Sequence, residues 1–128
     1  MNMQIYARRL FSIAALFNFG VAGGLLFLQP WLIPLLQLDP ITGTNAALVK
    51  VLAVLVATFG YAYWRIAGDP VTFRPYVTLG VIGKLLVVAA AGSALIAGET
   101  GWRLPVLAAG DLLFAGLFLD YLRRTKSA

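Results

Sequence analysis

The sequence predicts an all-α fold: an integral membrane four-helix bundle with a short interfacial helix between its first two spans. Three observations carry that prediction. The 128 residues are 61% hydrophobic and only 12% charged, where a soluble chain carries about 25% charged residues. The mean hydropathy is +0.88. The apolar residues fall into four long runs, each near the roughly 20 residues that a helix needs to cross hydrocarbon, with glycine and proline marking the turns between them. Residues 1–128 therefore form a single four-span membrane domain, with no room left for a soluble catalytic domain.

The first span is expected over about residues 10–28, behind Arg8 and Arg9. A charged start ahead of an apolar run also fits a secretory signal. This run exceeds the usual h-region of about 7–15 residues, however, and Val21-Ala22-Gly23 is a poor cleavage site. Gly20 and Gly24 form a GxxxG, a pattern that lets helices approach closely. In the connection that follows, Pro30 suits a first helical turn, and the segment from Trp31 to Leu38 is too short to span. It is expected to lie along the interface, anchored by Trp31. Asp39-Pro40 and Thr42-Gly43 then signal a turn, with Thr44 or Asn45 placed to cap the next helix.

The second span is expected over about 46–66, with Lys50 snorkelling to the headgroups at one end. Ala53, Ala57 and Gly60 make a small-residue stripe, and Tyr61, Tyr63, Trp64 and Arg65 an interfacial belt at the other end. Gly68-Asp69-Pro70 breaks the helix, and Arg74-Pro75-Tyr76 opens a third span over about 76–97. Gly98-Glu99-Thr100-Gly101 is a turn, Trp102 marks the opposite interface, and the fourth span covers about 104–122. The expected interfacial anchors are thus Trp31, Trp64, Tyr76, Trp102 and Tyr121. Asp120 stands one helical turn before Arg124, the spacing of an exposed ion pair.

Arg8, Arg9, Arg65, Arg74, Arg123, Arg124 and Lys126 fall on one side of the membrane, against Arg103 in the loops of the other. By the lysine and arginine bias both termini are expected in the cytoplasm, in a bacterial inner membrane. The formal net charge of +5 then reflects membrane flanks and not nucleic-acid binding.

Chemistry is confined to a few buried polar residues. Lys84 interrupts the third apolar run and Asp111 the fourth. A charge at the middle of a membrane helix costs about 2.5–3.5 kcal/mol on insertion scales, so each needs a partner, and each is the other's natural one. Counted from the terminal side at 1.5 Å per residue, Lys84 lies roughly 12 Å deep and Asp111 roughly 16 Å. Asn18 and Thr58 fall at roughly 13 and 12 Å. The expected buried layer is therefore Asn18, Thr58, Lys84 and Asp111, one side chain from each span, serving as structural glue, as a ligand site, or as both.

The chain has no cysteine and no histidine. This excludes disulfides, thiolate zinc sites and imidazole-held haem, and one deep acid cannot bridge two metals. No metal and no cofactor is expected. Ser93 stands roughly 13 Å from Lys84 along the helix axis, too far for a Ser–Lys dyad. No nucleophile elbow, Walker loop or dinucleotide fingerprint occurs, so no catalytic residue is assigned and a non-enzymatic role is expected.

Ala67-Gly68-Asp69-Pro70, then Arg74-Pro75, Gly80, Gly83-Lys84 and finally Asp111, resemble small four-span bacterial membrane proteins. In size and span count the chain is also similar to DoxX-like proteins, by architecture alone. The resemblance implies a bacterial inner-membrane protein and brings no activity with it. The leading expectation is binding of a small hydrophobic molecule or membrane lipid near Lys84 and Asp111, or service as an accessory subunit of a larger membrane complex. The alternative is a minimal proton-coupled transporter, a homo-oligomer using Asp111 and Lys84.

Overall fold

The structure is a computed structural model, and it describes residues 2–126. These form α1 (Met3–Phe27), α2 (Gln29–Leu36), α3 (Gly43–Gly68), α4 (Arg74–Ile96) and α5 (Arg103–Arg124). All but α2 are long and apolar enough to cross a membrane. The protein is a multi-pass membrane four-helix bundle, with α2 as the short helix between the first two crossings.

The helices run further than their apolar stretches. α1 starts at Met3, where the Asn2 side chain accepts a hydrogen bond from the Gln4 N–H at 2.8 Å, as a good N-cap does. It carries Arg8 and Arg9 as helix. α3 starts at Gly43, after an extended Thr42 that makes no side-chain cap bond. Thr44 and Asn45 are already inside the first turn, so neither caps it. α2 begins with a proline in its first turn and stops at Gln37, whose φ of 54° is left-handed. The Leu38 N–H closes that end on the Ile33 carbonyl at 2.9 Å, a common way to satisfy terminal carbonyls. In the turn after α3, hydrogen bonds from Thr72 hold the Asp69 carboxyl below the usual carboxylate range.

Close packing joins α1 to α3 and α4 to α5. Between α1 and α3 the bulky partners sit on small ones: a Cβ added to Gly60 would lie 3.0 Å from the Phe19 ring and 3.2 Å from the Asn18 Cβ, and Ala15 and Ala53 are buried. The two pairs then join through aromatic rings at the end that carries the termini. Phe11 of α1 stacks 4.6 Å from Phe118 of α5 and meets Tyr121 edge-on at 5.6 Å. Tyr63 of α3 lies 5.3 Å from Phe118. Glycine makes this possible on α4, since a Cβ at Gly80 would stand 2.8 Å from the Tyr63 ring. Arg74, at the start of α4, ties off the end of α5 by donating to the Leu122 carbonyl at 3.1 Å and to the Thr125 hydroxyl. Unsatisfied C-terminal carbonyls are natural acceptors for a basic side chain.

Tyr121 and Tyr63 are consequently core residues. Tyr121 is 5% and Tyr63 1% exposed, which corrects the reading of both as interfacial. Trp64 and Tyr76 at one end, and Trp31 and Trp102 at the other, are exposed as anchors should be. The GxxxG does not join two crossings: Gly24 receives Leu32 of α2, 3.0 Å from an added Cβ, and Gly20 faces nothing within 4 Å. Asp120 pairs with Arg124 at 3.0 Å and with Arg123 at 3.1 Å on the exposed end of α5.

Candidate functional site

The site lies where the aromatic core stops. Lys84 projects from α4 between Gly80 and Gly83 on one side and Val87 on the other. Asp111 projects from α5, one turn before Phe114. The Lys84 Nζ stands 2.6 Å from the Asp111 Oδ1, with the lysine side chain 4% and the aspartate 16% exposed. The same ammonium donates to the Asn18 Oδ1 of α1 at 3.3 Å. Asn18 in turn donates through Nδ2 to the Val56 carbonyl of α3 at 3.1 Å. All four crossings are thus linked by one chain of polar contacts.

Three aromatic rings also stand around the ammonium. Phe114, Tyr63 and Phe17 have their centroids 5.1, 5.2 and 5.5 Å from the Lys84 Nζ. Each is within the roughly 6 Å at which an aromatic face attracts a cation, and the attraction strengthens where water is absent. Small residues open the space for these groups: an added Cβ at Gly83 would meet Phe59 at 3.2 Å, and one at Gly110 would meet Phe17 at 3.4 Å.

Asn18, Lys84 and Asp111 come together as expected from their depth. Thr58 does not. It is exposed, and its hydroxyl donates to the Val54 carbonyl of its own helix at 2.9 Å, the back-bond to the preceding turn that a threonine within a helix can make. The contribution of α3 comes instead from the Val56 backbone carbonyl, which no side-chain pattern reveals. Tyr63, Phe17 and Phe114 were also outside the expected layer. Their signal is the spacing of Asp111, Phe114, Phe118 and Tyr121 at three and four residues, and of Gly60, Tyr63 and Ala67 likewise, each one face of a helix.

Above the ion pair, away from the termini, the two helix pairs separate around a cavity of about 770 Å³. That is within the roughly 300–1,000 Å³ of small-molecule sites. Lys84, Asp111, Asn18 and Tyr63 form its floor. Its walls are apolar, from Val21 and Leu25 of α1, Leu52 and Val56 of α3, Ala91 and Ala94 of α4, and Leu107 of α5. Leu36 at the end of α2, with Leu38, Asp39 and Ile41 beyond it and Asn45 in the first turn of α3, borders the far end, so two polar side chains stand there as well. α2 is fastened there by the Arg103 Nη1, which donates to the Leu35 carbonyl at 2.9 Å. Among the described residues no group of histidine, cysteine, aspartate or glutamate could hold a metal ion. No protein family, curated protein or solved structure matches this chain.

Proposed function

We propose that the protein is a binding protein of the bacterial inner membrane, holding a small hydrophobic molecule or lipid in the cavity above Lys84 and Asp111. The observation that carries this reading is the meeting of cavity and ion pair: Lys84, Asp111 and Asn18 all line the 770 Å³ space. A pair serving only to align helices needs no such opening, and replacing it by packed apolar residues is often neutral or favourable. Here the walls are mostly apolar, with Lys84, Asp111 and Asn18 converging at one end and Asp39 and Asn45 at the other, and a mostly apolar lining with a few polar groups is the usual make-up of a ligand site.

The floor supports binding over proton-coupled transport. Between the ion pair and the terminal end stand Phe11, Tyr63, Phe118 and Val77, all fully buried. A transporter needs its site reachable from both faces, and these packed residues fill the space between the ion pair and the terminal end. The ion pair neutralises itself, which supports a role in holding rather than in turnover. The excess of arginine at the terminal end supports a cytoplasmic position for that end by the charge bias, with the cavity then in the outer leaflet.

The test fills the space. Ala91 lies two turns above Lys84 on the same face of α4 and lines the cavity. Protein carried in lipid nanodiscs with extracted bacterial lipids is analysed by native mass spectrometry. The wild type is expected to retain a bound molecule that Ala91→Trp does not. Equal retention by both, or none by either, would remove the proposal.

A further inference from the structure

The floor of the cavity also restricts what its occupant can be. It holds a basic and an acidic group paired 2.6 Å apart, with side chains 4% and 16% exposed. Their charges sum to zero. A carboxylate or phosphate brought to Lys84 arrives equally close to Asp111, and would leave one net charge in the middle of hydrocarbon. An ammonium at Asp111 does the same with the opposite sign. Either carries the cost of an uncompensated intramembrane charge. A neutral head carries none.

Hydrogen-bonding capacity points the same way. The Lys84 ammonium has three protons, of which two go to Asp111 and Asn18. The Asp111 carboxylate has two oxygens, and the lysine is held by Oδ1. The third ammonium proton and the Asp111 Oδ2 are left over by these bonds, at the base of a space whose walls are apolar as far as Asp39 and Asn45 at its other end. A hydroxyl satisfies both at once, giving its proton to the carboxylate and a lone pair to the ammonium. From Lys84 to Ala94 the cavity follows α4 for roughly 15 Å, enough for one extended hydrocarbon chain.

We infer that the cavity takes a single-chain amphiphile with an uncharged hydroxyl head, of the class of fatty alcohols, alkylphenols and monoglycerides, seated head-down on Lys84 and Asp111 with its chain toward α2. This rests on the binding reading above and adds the charge and the orientation of the ligand. Phospholipids do not belong to the class, because their charged heads cannot be brought to the floor.

The experiment compares heads on one chain. Nanodisc-embedded protein is offered dodecanol, dodecylphenol, dodecane, dodecanoate and dodecylamine, and affinity is read by native mass spectrometry against total lipid. Dodecanol and dodecylphenol are expected to bind roughly tenfold or more tighter than the charged pair, as a charge left in hydrocarbon requires. In Asp111→Asn the unpaired lysine should turn the preference to dodecanoate, and in Lys84→Met the unpaired acid should turn it to dodecylamine. Should those single variants fail to fold, Lys84→Met combined with Asp111→Leu keeps the site neutral and is expected to bind dodecanol no better than dodecane. Equal affinity of the wild type for neutral and charged heads, still blocked by Ala91→Trp, would overturn this inference and leave the site. Binding of the whole panel unaffected by Ala91→Trp would overturn the site itself.

Discussion

The Lys84 ammonium and the Asp111 carboxylate meet at 2.6 Å on neighbouring crossings, at the level where a packed half of the bundle gives way to an open one. Their energetics follow from that setting. Removing one member of a buried pair leaves the other charge uncompensated and costs about 3–5 kcal/mol, while removing both is often tolerated. Lys84→Met and Asp111→Leu should each lower stability by about that amount, and the double variant by clearly less than the sum. Denaturant titration of all three proteins in mild detergent checks this; additive losses would mean that the contact carries no coupling.

Asn18 and Thr58 are predicted to differ, although they lie at similar depth. Asn18→Ala removes the link to Val56 and one of the lysine's acceptors, and should cost about 1 kcal/mol, in the upper part of the range for polar contacts between membrane helices. Thr58→Ala breaks only a bond within its own helix and should change stability by less than about 0.5 kcal/mol. The same titration separates the two.

Gly80 and Gly20 make a second contrast. Gly80→Ala drives a methyl group against the Tyr63 ring, 2.8 Å away, with Phe118 behind it at 3.3 Å. Overpacking of this kind costs about 1–3 kcal/mol. Gly20→Ala meets nothing within 4 Å and should be neutral or mildly stabilising, since alanine is the better helix former. Thermal unfolding followed by circular dichroism reads both.

Arg74→Met should loosen the end of α5. The guanidinium holds the Leu122 carbonyl and the Thr125 hydroxyl, so its loss is expected to raise amide hydrogen exchange over residues 121–126 severalfold, with little change near Asp111. Uniform protection in the variant would show that the end is held without it.

Much of the arrangement was legible in the sequence, and the reasons differ by residue. The bundle and the Lys84–Asp111 pair were legible because hydrocarbon penalises a lone charge and an unpaired backbone so heavily that few alternatives remain. Asn18 followed from its depth. Thr58 did not, because depth fixes the height of a residue on a helix and says nothing of its direction around the axis. Composition alone suggests headgroup anchors at Tyr63 and Tyr121, whereas their spacing from Gly60 and from Phe118 puts them on the inward faces of α3 and α5. The cavity had no sequence signature at all. It depends on how far two helix pairs separate, and alanines along a wall serve a tight interface as well as an open one.

The ion pair also restricts how the protein can move. Sliding α4 past α5 by one turn would carry the ammonium about 5.4 Å from its acid and strand both in oil. Translation along the membrane normal is therefore closed to these two crossings. The two crossings are thereby held in one register, and the polar layer keeps its place in the membrane as a unit.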